Sequence, residues 1–152
     1  MDTTKLGAIS GAIGAAASII PGLLTKQVFK IASVNFLDYA AVLVVGHKVN
    51  DIWQWLVAAA GHLVFGAALG VAFAFFIKKT GDASLLFKGG GFGASIWLIT
   101  LGMGTFFKLP HFKITAPGDS VFILVDAICY GVVLALSYQY IADRRRNWSG
   151  RQ

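Results

Sequence analysis

The sequence predicts an all-α, polytopic integral membrane protein with four transmembrane helices and a short extra interfacial helix between the first and second. Three observations carry this. Of 152 residues, 13% are charged and 57% hydrophobic, with a mean hydropathy of +0.71, whereas soluble domains average about 25% charged. Four apolar runs are long enough to cross a hydrocarbon core of about 30 Å at about 1.5 Å per helical residue. Most of the 18 glycines lie inside those runs, where they permit close helix packing. The length fits a single domain, 1–152.

The first span, residues 6–25, is bracketed by Lys5 and Lys26. Gly7, Gly11, Gly14, Ser18 and Gly22 follow helical spacing and form one small-residue stripe. Pro21 is expected to kink its far end. Ala15, Ala16 and Ala17 imitate a signal peptide, but the segment before them offers only Lys5 against Asp2, so a retained helix is expected.

The connection from Lys26 to Asp51 holds only eight consecutive apolar residues, 39–46, too few to cross. Asn35 with Asp38 resembles an N-cap, and Gly46 a C-terminal stop. This predicts a helix over Phe36–Val45, at the interface or tucked against the bundle. A re-entrant segment is the alternative.

The second span, residues 52–77, has no charged side chain and opens with Trp53 and Trp55, which suit a headgroup-level aromatic belt. His62, Gly66 and Gly70 recur every fourth residue on one face, and Lys78 and Lys79 close the run. The third span lies between Lys88 and Lys108, with Trp97 in its middle and Gly89/Gly93 as a GxxxG pair, like Gly7/Gly11 and Gly66/Gly70. A polar loop follows, through His111 and Lys113 to Pro117, Gly118 and Asp119. The fourth span, residues 121–142, contains Asp126 and ends at Arg144, Arg145 and Arg146.

Four spans place both termini on one side. That side holds eight basic residues (Lys5, Lys78, Lys79, Lys88, Arg144, Arg145, Arg146, Arg151) against five on the other (Lys26, Lys30, Lys48, Lys108, Lys113). The positive-inside rule then sets both termini in the cytoplasm, in a bacterial inner membrane. Because the basic residues flank apolar runs, the net charge of +6 indicates helix ends facing anionic lipid rather than nucleic acid. Cys129, the only cysteine, excludes an intramolecular disulfide and is expected to be a small core residue.

The halves 6–79 and 85–146 echo one another. Gly11 to Ala15 resembles Gly91 to Ala94, Phe29-Lys30 resembles Phe107-Lys108, and Phe65-Gly66 resembles Tyr130-Gly131. An internal duplication and chance similarity of Gly- and Ala-rich helices both account for this.

Asn35 to Tyr39 with Gly46-His47, Gly91 to Gly93 with Trp97, Phe107 to Pro110, and Tyr130-Gly131 together resemble the uncharacterised YqhR-like four-span membrane proteins of Gram-positive bacteria. The likeness runs over residues 6–141. It implies a four-helix bundle and brings no activity, cofactor or catalytic residue.

His62 and Asp126 are the strongly ionisable groups well inside the spans. Their distances from the basic ends differ by two residues, or about 3 Å of depth. A lone carboxylate in lipid costs about 2.5–3.5 kcal/mol on insertion scales, so Asp126 is expected to face the bundle and meet His62, directly or through one water. The functional version of this pair is a proton relay or polar path; the structural version is an interhelical hydrogen bond between neutral Asp126 and His62, Tyr130 or a serine. Haem ligation by His62 lacks a second axial candidate. Gly89-Gly90-Gly91-Phe92-Gly93 resembles a phosphate loop only superficially, since a helix contains it. Lys108, His111 and Lys113 suit a solvated cap better than an anion site. No catalytic set, metal spacing or cofactor motif is readable, and no enzyme is expected.

The leading expectation is therefore a structural or assembly module, a homo-oligomer or a small subunit of a larger membrane complex, with membrane lipids around it. Its packing residues would be Gly7, Gly11, Gly66, Gly70, Gly89 and Gly93. The interfacial anchors would be Trp53, Trp55, Lys78, Lys79, Arg144, Arg145 and Arg146. The alternative is a small channel or transporter with a polar path past His62 and Asp126.

Overall fold

A computed structural model describes residues 2–47, 49–108 and 117–149; Lys48, His111, Lys113 and Arg151 lie outside the described residues. The regular elements described are helices: α1 (Thr3–Leu23) continued by a π-helical turn (Leu24–Val28), α2 (Phe36–Val45), α3 (Ile52–Thr80), α4 (Leu85–Phe106) and α5 (Pro117–Ser149). Four of them, α1 with its π turn, α3, α4 and α5, are long and apolar enough to cross a membrane. The ten-residue α2 reaches only about 15 Å and does not.

Capping explains the boundaries. Asp2 accepts the Lys5 N–H at 2.7 Å and opens α1. Pro21 lies within α1 and lacks a donor, and the helix widens into the π turn three residues later. There the Thr25 hydroxyl donates to Pro21 O at 3.0 Å and Gly22 O at 3.2 Å.

Helix α2 begins and ends where the sequence predicts. Asn35 Oδ1 accepts the Asp38 N–H at 3.0 Å while Asp38 Oδ2 accepts the Asn35 N–H at 2.8 Å, a reciprocal capping box. Gly46 closes the helix at φ +85°, a left-handed conformation that suits glycine.

Two other starts come earlier than charge placement suggests. Lys88 lies within α4 rather than before it, and its ammonium donates to Thr80 O at 3.0 Å and Gly81 O at 2.9 Å, satisfying the end of α3. Likewise α5 begins at Pro117, not after Asp119, and continues past Ala142 to include Arg144, Arg145 and Arg146. Proline at a first helical position loses nothing, since that N–H has no intrahelical partner.

Helix α1 lies between α3 and α5, α5 lies between α1 and α4, and α2 packs on α3. The consecutive helices α3 and α4 barely touch along their lengths. The second and fourth spans, which carry His62 and Asp126, are thus separated by α1. They meet mainly through long side chains, as in the Phe73–Tyr138 edge-to-face pair at 6.1 Å. Around it, Ala15, Ile77, Leu85, Ile96, Tyr130, Leu134 and Ala135 are buried in one cluster with Phe73.

Glycine sets these separations. A Cβ on Gly11 would collide with the Gly66 carbonyl and stand 2.8 Å from Gly70 Cα, so α1 and α3 are in backbone contact. A Cβ on Gly93 would strike the Ala127 carbonyl and stand 2.8 Å from its carbon, so α4 and α5 are likewise. Gly7, Gly66, Gly70 and Gly89 also lie between helices of this one chain. Their faces are therefore filled by helices of this same chain.

On α2, Leu37 and Ala41 meet Ala58 and Trp55 of α3, while Tyr39 packs with Val34 and Ile123. Trp53 is exposed, but Trp55 is half-buried against α2 rather than turned outward. Cys129, expected in the core, is exposed on α5.

Two outcomes follow from this packing. Gly11→Ala forces backbones apart and should lower stability in detergent by about 1–3 kcal/mol. Gly91→Ala, at a site open within 4 Å, should be neutral or stabilising by up to about 1 kcal/mol; equal losses in thermal unfolding would contradict this. Burial, then the Asp119 and Asp38 charges, push the Tyr39 phenol up to about 12. The folded chain thus holds this proton more tightly than the unfolded chain, whose tyrosine titrates near about 10. Its contribution is complete below about pH 10 and is lost as pH rises through about 12. Tyr39→Phe should flatten that alkaline loss, and an unchanged alkaline limb would count against it.

Candidate functional site

The inner face of α1 carries buried Ser10, Gly14, Ser18 and Gly22. Gly14, Ser18 and Gly22 are spaced by one turn, about 6 Å at helical rise, and each meets a polar side chain from another helix. Tyr130 of α5 lies against Gly14, its ring carbons 3.2 Å from where a Cβ would be. Its hydroxyl passes α1 and donates to Gly66 O of α3 at 2.8 Å. One turn on, His62 Nε2 lies 3.2 Å from Ala15 O and 3.3 Å from Ser18 Oγ. A carbonyl only accepts, so the bond to Ala15 assigns the proton to Nε2. The Ser18 hydroxyl itself donates to Ala15 O at 2.9 Å.

A further turn on is Asp126, 2% exposed. Its Oδ2 lies 3.0 Å from the position of a Cβ on Gly22, so glycine leaves the space the carboxylate occupies. The Asn35 side chain reaches the same glycine, its Nδ2 donating to Gly22 O at 3.3 Å. Asp126 Oδ1 is buried without a hydrogen-bond partner. His62 and Asp126 both turn toward α1, and no direct hydrogen bond joins them. The reason is the order of the helices: with α1 between α3 and α5, each side chain reaches α1, at successive turns.

A second polar layer caps this seam, and the sequence reading missed it. Asp119, 1% exposed, accepts the Ser33 backbone N–H at 2.7 Å and also the Ser33 hydroxyl. Lys26 donates to both Asp38 oxygens, at 2.6 and 2.7 Å. The Trp97 indole donates to Ser120 O at 3.0 Å. These bonds join the α1–α2 connector, α2, α4 and the first turn of α5. The signal available for Asp119 was its place two residues after Pro117, suited to the first turn of a helix.

Gly89-Gly90-Gly91-Phe92-Gly93 lies wholly inside α4. The Lys108 part of the proposed solvated cap is exposed, while His111 and Lys113 are outside the described residues. Among the described residues, no three metal-ligating side chains gather.

Because His62 and Asp126 have no common hydrogen-bond partner, His62→Ala and Asp126→Ala should act almost independently on stability. The expected coupling is below about 0.5 kcal/mol, and His62→Ala alone should cost about 0.5–1.5 kcal/mol for its bond to α1. A double-mutant cycle by chemical unfolding in micelles measures this. Coupling above about 1 kcal/mol would establish a pair that the geometry lacks.

Comparison with known proteins adds family membership. No curated protein and no solved structure matches the chain. Nothing in the family match bears on the likeness to YqhR-like proteins. Residues 1–149 match DUF6789, described as a family of unknown function, and this four-span helical chain belongs to that family.

Proposed function

We propose that the chain is a structural module of the membrane that assembles through the outer face of α4, most simply with a second copy of itself. The observation behind this reading is the uneven covering of α4. Only 17% of its apolar stretch is buried, against 33%, 39% and 44% in the other three long helices. Its covered face is Leu85, Gly89, Gly93, Ile96 and Gly104. At 100° per residue, Gly91, Ser95 and Gly102 share the opposite face. Gly91 and Gly102 have open space where a Cβ would stand, and Ser95 is exposed. This is a second small-xxx-small surface, of the kind that admits a neighbouring helix in lipid.

The orientation belongs to the same proposal, with both termini cytoplasmic. It is supported by Lys5, Lys78, Lys79, Lys88, Arg144, Arg145 and Arg146 at one end of the bundle, against Lys26, Lys30 and Lys108 at the other. Among the described residues nothing favours the alternative, a channel or transporter. His62 is bonded to α1, and the polar groups along that helix are separated by packed glycine and apolar contacts.

Cross-linking in native membranes tests the assembly. Ser95→Cys in a Cys129→Ser background should give a covalent dimer, and adding Gly91→Leu should abolish it without changing the helical content. Monomer alone in native-like lipid, or a cross-link indifferent to Gly91→Leu, would refute the α4 interface.

A further inference from the structure

The bundle end that gathers the start of α1 and the ends of α3 and α5 distributes its charges unevenly. Its carboxylates are engaged: Asp2 caps α1, Asp82 lies 3.0 Å from Arg146, and Asp143 lies 3.9 Å from the same guanidinium. The Arg146 hydrogen bond and charge hold the Asp82 carboxyl below its usual range. Lys88 is occupied by the carbonyls at the end of α3. That leaves Lys5, Lys78, Lys79, Arg144 and Arg145 exposed and, among the described residues, unpaired with any carboxylate.

Below Lys78 and Lys79 the outer face of α3 carries Phe75 and Phe76, and below Arg144 and Arg145 that of α5 carries Leu136, all more than 40% exposed. Arg144 lies over the exposed Tyr140 ring at 5.4 Å from its centre, which holds a cation beside an aromatic at the boundary of the apolar band. A charged rim above a bare apolar band suits an amphiphile; a free phosphate would satisfy only the rim.

We propose that this end of the bundle binds anionic diacyl phospholipid. The headgroup phosphates engage Lys78 and Lys79 on α3 and Arg144 and Arg145 on α5, with acyl chains along Phe75 and Phe76 on the first helix and Leu136 on the second. Basic side chains near an anionic leaflet contribute about fivefold in affinity each, and salt weakens the attraction. The surface exists on each chain by itself, so the inference stands whether or not α4 mediates assembly.

The test is lipid retention, read by native mass spectrometry, after reconstitution in equal mixtures of phosphatidylglycerol and phosphatidylcholine. The wild-type chain should retain phosphatidylglycerol preferentially. The combined Lys78→Gln, Lys79→Gln, Arg144→Gln and Arg145→Gln variant should lose that preference by at least about tenfold. Lys30→Gln with Lys108→Gln, at the opposite end, should keep it. Wild-type protein titrated with sodium chloride during reconstitution should lose the preference progressively, a readout that does not depend on the variant's folding. No wild-type preference, a preference insensitive to salt, or equal loss in the two variants would overturn the proposal.

Discussion

Backbone contact at glycine is the constraint on which the structure depends. Lipid tails are as apolar as leucine, so these helices gain little from burying apolar side chains against each other and must instead gain close van der Waals contact. Gly11 against Gly66 and Gly70, and Gly93 against Ala127, supply that contact in two helix pairs, α1–α3 and α4–α5. The pairs are then joined through α1 and α5, where Tyr130 lies against Gly14 and Asp126 against Gly22. Small residues on α1 thus serve both neighbours.

This central position of α1 also decides where polar groups go. A side chain with hydrogen-bonding needs satisfies them inside the bundle when it reaches a backbone carbonyl on α1 or α3, as His62 and Tyr130 do. Among the described residues Asp126 is the exception, buried with one oxygen unpartnered. Such a group is costly in hydrocarbon, and the connector bonds around Asn35, Ser33 and Asp38 tie down the elements that enclose it. The polar layer at that end is a means of fixing α2 and the start of α5, with Lys26–Asp38 as its partly exposed ion pair.

Much of the fold is legible in the residues because its signals are local. Four apolar runs between charges identify the four long helices, and Asn35, Asp38 and Gly46 define α2 to the residue. What the sequence left open depends on which helices are neighbours. Matching depth suggested that His62 and Asp126 meet, whereas α1 separates the helices that carry them. Apolarity also misleads inside a membrane, because the outer surface is apolar too: Cys129 lies in an apolar run and is exposed, and Trp55 sits near a helix end yet packs on α2. The Gly91, Ser95 and Gly102 face has helical periodicity in the sequence. Only the structure separates it from the Gly89 and Gly93 face that α5 fills.

The most direct measurement is an experimental structure of the chain in a lipid nanodisc, at a resolution that locates side chains. It should place α1 between α3 and α5, with Gly11 in contact with Gly70, Gly93 in contact with Ala127, and His62 bonded to α1 rather than to Asp126. Direct backbone packing of α3 on α5, or Gly11 and Gly93 facing lipid, would contradict the account.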